Sequence, residues 1–182
     1  MADLGQRLHF PATARNREPI TEILQQWLPN RGTILEIASG SGEHAVAFQK
    51  RFPHLRWQAS DPEPQHRNSI NAWIRHTEQS STMPHALDID VAQRPWPLPK
   101  DVEPFISAII CINLLHISSR ACTEAVLQQA AERLPAKAPL MIYGPFKQDG
   151  VHTSLSNASF DANLRERNLE WGVRDIEWIK SL

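Results

Sequence analysis

The chain has 182 residues, 41% of them hydrophobic and 21% charged, with a formal net charge of −1. That composition predicts one globular domain spanning 1–182, and its scattered Lys and Arg offer no basic face for nucleic acid or an anionic membrane. No apolar run approaches the length of a membrane span, and the N-terminal MADLGQRLHF lacks the apolar stretch of a secretory signal.

Residues 1–19 read as an N-terminal arm or lid that carries Arg15 and Asn16. Ile20, Ile23, Leu24, Trp27 and Leu28 then recur at helical spacing. Pro19 suits the first turn of that helix, and Pro29 with Gly32 ends it. Thr33 to Ser39 is a short buried strand, and Ala45, Phe48 and Phe52 mark a helix that opens after Gly42. Leu55 to Ser60 is a second strand, stopped by Asp61-Pro62, and Ile70, Trp73 and Ile74 give a third helix. A weak third strand is expected over Ala86 to Ile89. RPWPLPK (94–100) is a loop, because proline fits neither a helix interior nor a central strand.

Ile106 to Ile112, apolar and β-branched without alternation, is the clearest central strand, as in a sheet covered on both faces. Cys122, Val126, Leu127, Ala130, Ala131 and Leu134 define the next helix, and Pro139 to Tyr143 is a fifth strand. Ser156 is placed to cap a helix bearing Phe160 and Leu164, and a short last helix holds Ile176, Ile179 and Leu182. The two cysteines, Cys111 and Cys122, fall in a strand and a helix, so no disulfide and a reduced, cytoplasmic setting are expected.

Alternating strands and helices predict right-handed βαβ units and an α/β fold: a Rossmann-like, doubly wound, mostly parallel sheet of strand order 3-2-1-4-5. Ligands of such sheets bind beyond the carboxyl ends of the strands. Glu36, Gly40, Gly42, Asp61, Asp88, Asn113 and Tyr143 all fall near those ends.

Gly40-Ser-Gly42-Glu-His-Ala45 satisfies the G-x-G-x-x-A dinucleotide fingerprint, and Asp61 follows at the distance of a ribose-binding acid. An NAD-dependent oxidoreductase is therefore one reading. Tyr143 and Lys147 imitate the tyrosine–lysine pair of short-chain dehydrogenases, but Gly144-Pro145 forbids the helix that pair needs. Glu36 argues for a different nucleotide, since a carboxylate buried in that strand needs a charged or hydrogen-bonding partner. S-adenosylmethionine brings cationic ammonium and sulfonium groups to that end of a sheet.

The string LEIASGSG (35–42) resembles the first motif of class I S-adenosylmethionine-dependent methyltransferases, acidic-x-Gly-x-Gly-x-Gly, with Ala38 in place of the first glycine. Together ARNREPI (14–20), EIASGSGEHA (36–45), SDPEP (60–64), CINLLHIS (111–118), CTEAV (122–126), YGPFK (143–147), SNASFDANLRERN (156–168) and EWGVRD (170–175) resemble the methyltransferase-like 26 family over nearly the whole chain. The resemblance implies a methyltransferase fold, S-adenosylmethionine as cofactor and no particular acceptor; a small molecule is expected. It also implies that Glu36, Ala38, Gly40 and Gly42 hold the cofactor with Asp61 and Pro62 at its ribose, Asp88 at its adenine and Asn113 at the floor. Arg15, Asn16 and His44 are expected near its methionine tail. His116 is the candidate general base, and Tyr143 a candidate catalytic wall of the acceptor pocket.

Two further alternatives are a cofactor-binding protein without catalysis and a nucleic-acid methyltransferase. The latter is disfavoured by charge and by the lack of a D/N-P-P-aromatic string. The histidines show no metal spacing, and no metal is expected. Family members continue into a closing strand pair, whereas this sequence stops at Leu182. The fifth strand is thus expected to keep a free edge open to self-association.

Overall fold

The computed structural model describes residues 6–182, so positions 1–5 of the expected arm lie outside the described residues. The remainder of that arm is largely helical. Helix α1 (Pro11–Trp27) starts with Pro11 in its first turn, where a missing N–H is harmless, and runs on through Pro19. The expected start at Pro19 is therefore corrected by two turns. Packing explains the override: Ile20 and Leu24 are buried, and the Phe10 N–H just ahead of α1 is anchored by Glu43 Oε2 at 2.9 Å. Ile23 and Trp27 are 47% and 64% exposed, so only one side of the expected stripe packs.

Strand β1 (Thr33–Ile37), helix α2 (Glu43–Arg51), strand β2 (Arg56–Ala59), helix α3 (Pro64–His76), strand β3 (Ile106–Ile112), helix α4 (Arg120–Arg133) and strand β4 (Leu140–Tyr143) follow. The four strands form a parallel sheet in the order β2-β1-β3-β4. The expected third strand shrinks to one parallel bridge, Ser60 with Leu87, on the outer side of β2. Its place in the predicted order is kept.

Alternation along β1 divides the core. Ile34 packs with Trp57, Phe48, Ile70 and Leu24, under α1, α2 and α3. Leu35 and Ile37 pack with Ile109, Val126 and Trp96, under α4 and the proline-rich loop. Each such fully buried side chain contributes roughly 1.5–3 kcal/mol. Cys111 and Cys122 are buried and free.

After β4 the chain turns into a short antiparallel pair, β5 (Phe146–Gln148) with β6 (Val151–His152), then helix α5 (Leu155–Arg167). Strand β7 (Arg174–Asp175) lies parallel to β5, and helix α6 (Ile176–Ser181) follows. Ser154, not Ser156, caps α5, accepting from Asn157 N–H at 3.1 Å. This small sheet is separate from the main one, and among the described residues no strand pairs with the outer edge of β4. Nor is any described helix long and apolar enough to cross a membrane.

Candidate functional site

Between β1 and α2 the chain makes a turn in which Ala38, Gly40 and Gly42 adopt φ of 53°, 56° and 89°. For Ala38 the left-handed conformation costs roughly 1 kcal/mol that a glycine would avoid. The turn is stitched to the end of β2: Ser39 N–H donates to the Ser60 carbonyl, and Gly40 N–H donates to Asp61 Oδ2, both at 2.9 Å. Asp61 Oδ1 accepts from Glu63 N–H and lies 3.0 Å from His66 Nδ1. Asp61 is 4% exposed, yet a carboxylate carries about four lone-pair sites and these three contacts leave capacity for a further donor.

Above this turn lies a cavity of about 340 Å³, lined among others by Glu36, Ala38, Gly40, His44, Asp61, Pro62 and Asn113. Its size suits a small-molecule ligand. It opens at the carboxyl ends of β1 and β3, on the crevice side of the parallel sheet.

Glu36 forms part of the floor. Its Oε2 accepts from the Trp57 indole N–H at 2.6 Å, so the partner expected from a cofactor is supplied in part by the protein. Burial raises its carboxyl from 4.5 to about 7, against the lowering effect of the indole bond. A cation placed beside this group would favour its ionised form.

His44, in the first turn of α2, stacks on Phe48 with centroids 5.3 Å apart. Its Nε2 lies 2.9 Å from Asn16 Oδ1, which ties α2 to α1. Burial, then the nearby Arg17 charge, lowers its pKa to about 4, so it is neutral at pH 7.

A second cavity of about 430 Å³ adjoins the first, and Ala12 and Asn113 line both. Arg15, Asn16, Tyr143, Gly144, Asn157 and Phe160 complete most of its wall. Arg15 and Tyr143 thus face the second cavity and not the first. Asn113, with φ of 58°, ends β3 at the boundary, its N–H donating to the Tyr143 carbonyl at 2.8 Å.

Three expected residues lie elsewhere. Gly42 does not line either cavity: a Cβ there would come 2.7 Å from Ile70 Cα, so its bare backbone serves the contact of the turn with α3. Asp88 is outside the cavity lining, with its carboxylate 3.1 Å from Arg67 Nη2 and 68% exposed. His116 lies behind Gly144, whose Cβ would be 3.4 Å from its Nδ1, and edge-on to Phe160. Burial, then Arg174, lowers its pKa to about 4.

Sequence reasoning missed Phe10, whose ring edge would meet a Cβ on Gly40 at 3.0 Å, and His66, the companion of Asp61. It also missed Trp57 as the partner of Glu36. The parallel register, Ile34 with Trp57 and Glu36 with Ala59, puts Trp57 diagonal to Glu36 on one face. Alternation in the two strands carried that signal once their pairing was fixed. Among the described residues no His, Cys, Asp and Glu cluster is placed to hold a metal ion.

A family described as "Protein of unknown function (DUF938)" matches residues 7–182. Among solved structures, an O-methyltransferase family protein from Burkholderia thailandensis is similar, with a TM-score of 0.72 and 17% identity over 93% of this chain and 50% of that one. An O-methyltransferase family 2 protein from Planctomyces limnophilus, solved with apigenin, has a TM-score of 0.68 and 20% identity, over 98% of this chain and 57% of that one. Human N-acetylserotonin methyltransferase, solved with S-adenosylmethionine, has a TM-score of 0.69 and 13% identity, over 90% and 43%. The chain thus spans about half the length of these structures. At such identities the likeness is one of fold, a mostly parallel sheet of the Rossmann-like methyltransferase type.

Proposed function

The chain belongs to the DUF938 family, and from the paired cavities at its strand ends we propose that it transfers a methyl group from S-adenosylmethionine to a small-molecule acceptor. The observation that carries this reading is Glu36: a buried carboxylate on the floor of a cavity bounded by a left-handed turn and by Asp61. Such a set fits a ligand that combines a cation with a ribose. The fold shared with methyltransferases, two of them solved with S-adenosylmethionine or with apigenin, supports the reading. So does the resemblance of the chain's motifs to the methyltransferase-like 26 family.

In this reading Glu36 faces the positive charge of the donor, and Asp61 accepts from its ribose hydroxyls. His44, Ala38 and Gly40 bound the remainder. S-adenosylmethionine, when bound, supplies a methyl carbon made electrophilic by a positively charged sulfur. Phe10, Ile112, Leu114 and Ile117 line the same cavity and exclude water from it. Asn113 stands at the passage to the second cavity, where Tyr143 and Phe160 hold the acceptor. His116 supports Gly144 from behind and takes no proton. Rate acceleration then rests on proximity and a water-poor contact between the reactants.

Titration calorimetry with S-adenosylmethionine, S-adenosylhomocysteine and NAD tests the assignment. We expect roughly micromolar binding of the first two, about 8 kcal/mol. Asp61→Ala is expected to weaken it about tenfold, as loss of hydrogen bonds to a charged acceptor does. Tight NAD binding with no binding of S-adenosylmethionine would overturn the reading.

A further inference from the structure

The second cavity has a one-sided chemistry. Its lining residues are Arg15, three amides (Asn16, Asn113 and Asn157), the rings of Tyr143 and Phe160, and small or apolar groups, with no carboxylate, lysine or histidine among them. Among the described residues no carboxylate pairs with Arg15. The acid nearest in sequence, Glu18, lines a different groove together with Arg17. An always-charged, forked donor left unpaired beside two aromatic rings suits a planar anion.

The geometry points to an acceptor that enters as an anion, a flat ring bearing a carboxylate or similar oxyanion held by Arg15 against Tyr143 and Phe160. The inference rests on the methyltransferase reading and names the substrate class of that same site. It also accounts for the missing base. The lining holds no carboxylate, lysine or histidine to act as a base toward a neutral acceptor. An anionic oxygen needs none. Its lone pair forms the new O–CH3 bond while the S–CH3 bond breaks, and the electrons of that bond stay on sulfur. The sulfonium becomes a neutral thioether, the anion a neutral ester or ether, and no proton is released.

A charge series on one ring provides the test: benzoate, benzamide and benzamidine, each titrated into the protein with and without S-adenosylhomocysteine. Benzoate is expected to bind most tightly and benzamidine least. Arg15→Gln should weaken benzoate about tenfold, and Arg15→Lys should restore part of the loss. Arg15 is exposed on α1, so both variants are expected to fold. Equal binding of the three probes, or benzoate binding indifferent to Arg15→Gln, overturns the inference. A parallel titration of S-adenosylhomocysteine and of 5′-methylthioadenosine, which lacks the amino acid, separates the rival role. If Arg15→Gln weakens only the former, Arg15 grips the cofactor's carboxylate and the acceptor assignment fails. Absence of S-adenosylhomocysteine binding would instead sink the methyltransferase reading, and the benzoate arm without nucleotide still judges the anion site.

Discussion

Glu36 makes the protein's stability depend on pH in an unusual direction. Its folded pKa of about 7 lies above the ordinary 4.5, so its contribution is complete below about pH 4.5 and is lost as pH rises through 7. The shift corresponds to about 3 kcal/mol. His44 and His116 work oppositely. Their folded pKa of about 4 lies below 6.5, so their contribution is present above pH 6.5 and is lost as pH falls through 4. Glu36→Gln keeps an acceptor for the Trp57 indole and removes the ionisation. At pH 8 it should melt roughly 5–10 °C above the parent, and at pH 5 close to it. Circular dichroism melts across this range are the check, and parallel profiles for the two proteins would contradict the assignment. The parent's affinity for cationic S-adenosylmethionine should fall as pH drops below 7, because a proton must first leave Glu36. Calorimetry in buffers of different ionisation enthalpy measures that proton directly.

At the level of elements, the two glycines of the β1–α2 turn separate folding from binding. Gly42 abuts the backbone of α3, so Gly42→Ala should lose roughly 1–3 kcal/mol of stability through overpacking, with further strain from its positive φ. Cofactor affinity of the folded fraction should hold. Gly40→Ala costs roughly 1 kcal/mol of stability through its φ of 56° and pushes on the edge of Phe10 within the cavity, so its loss of affinity should exceed that modest loss of stability. Urea titrations paired with calorimetry distinguish the two. A Gly42→Ala protein of parental stability that no longer binds would return that residue to the ligand. The alternation of elements, the turn and Asp61 were legible because each is a local pattern with fixed spacing. Longer-range relations were hidden. The Glu36–Trp57 bond depends on strand register, and α1 extends past Pro19 because of what it packs against. Leu87 pairs through one bridge, which leaves Asp88 to Arg67 and the solvent. His116 sits at the strand end as expected, but the left-handed Asn113 and the turn at 115–117 carry it behind Gly144.

For the molecule as a whole, the side of β4 with which no described strand pairs is the feature that reaches beyond one chain. The Pro139 and Tyr143 carbonyls accept from Ile109 of β3 and from Asn113 just past its end, so alternation turns the N–H and C=O groups of Leu140 and Ile142 outward. An edge of this kind is a template for another strand. The 182-residue chain should therefore self-associate as its concentration rises in sedimentation velocity. Ile142→Pro removes an outward N–H without touching the ladder to β3, and should keep the fold while abolishing association. A parent that stays monomeric up to its solubility limit would refute this. The closed way to satisfy such an edge is a two-fold axis, which sets β4 antiparallel to its copy. The paired sheets would then read β2-β1-β3-β4 followed by β4-β3-β1-β2, with strand directions reversing at the axis. Carboxyl ends of one half would point up where those of the other point down. The two mouths would open on opposite rims of a continuous sheet, each complete in itself, so joining two copies would leave ligand affinity per chain unchanged.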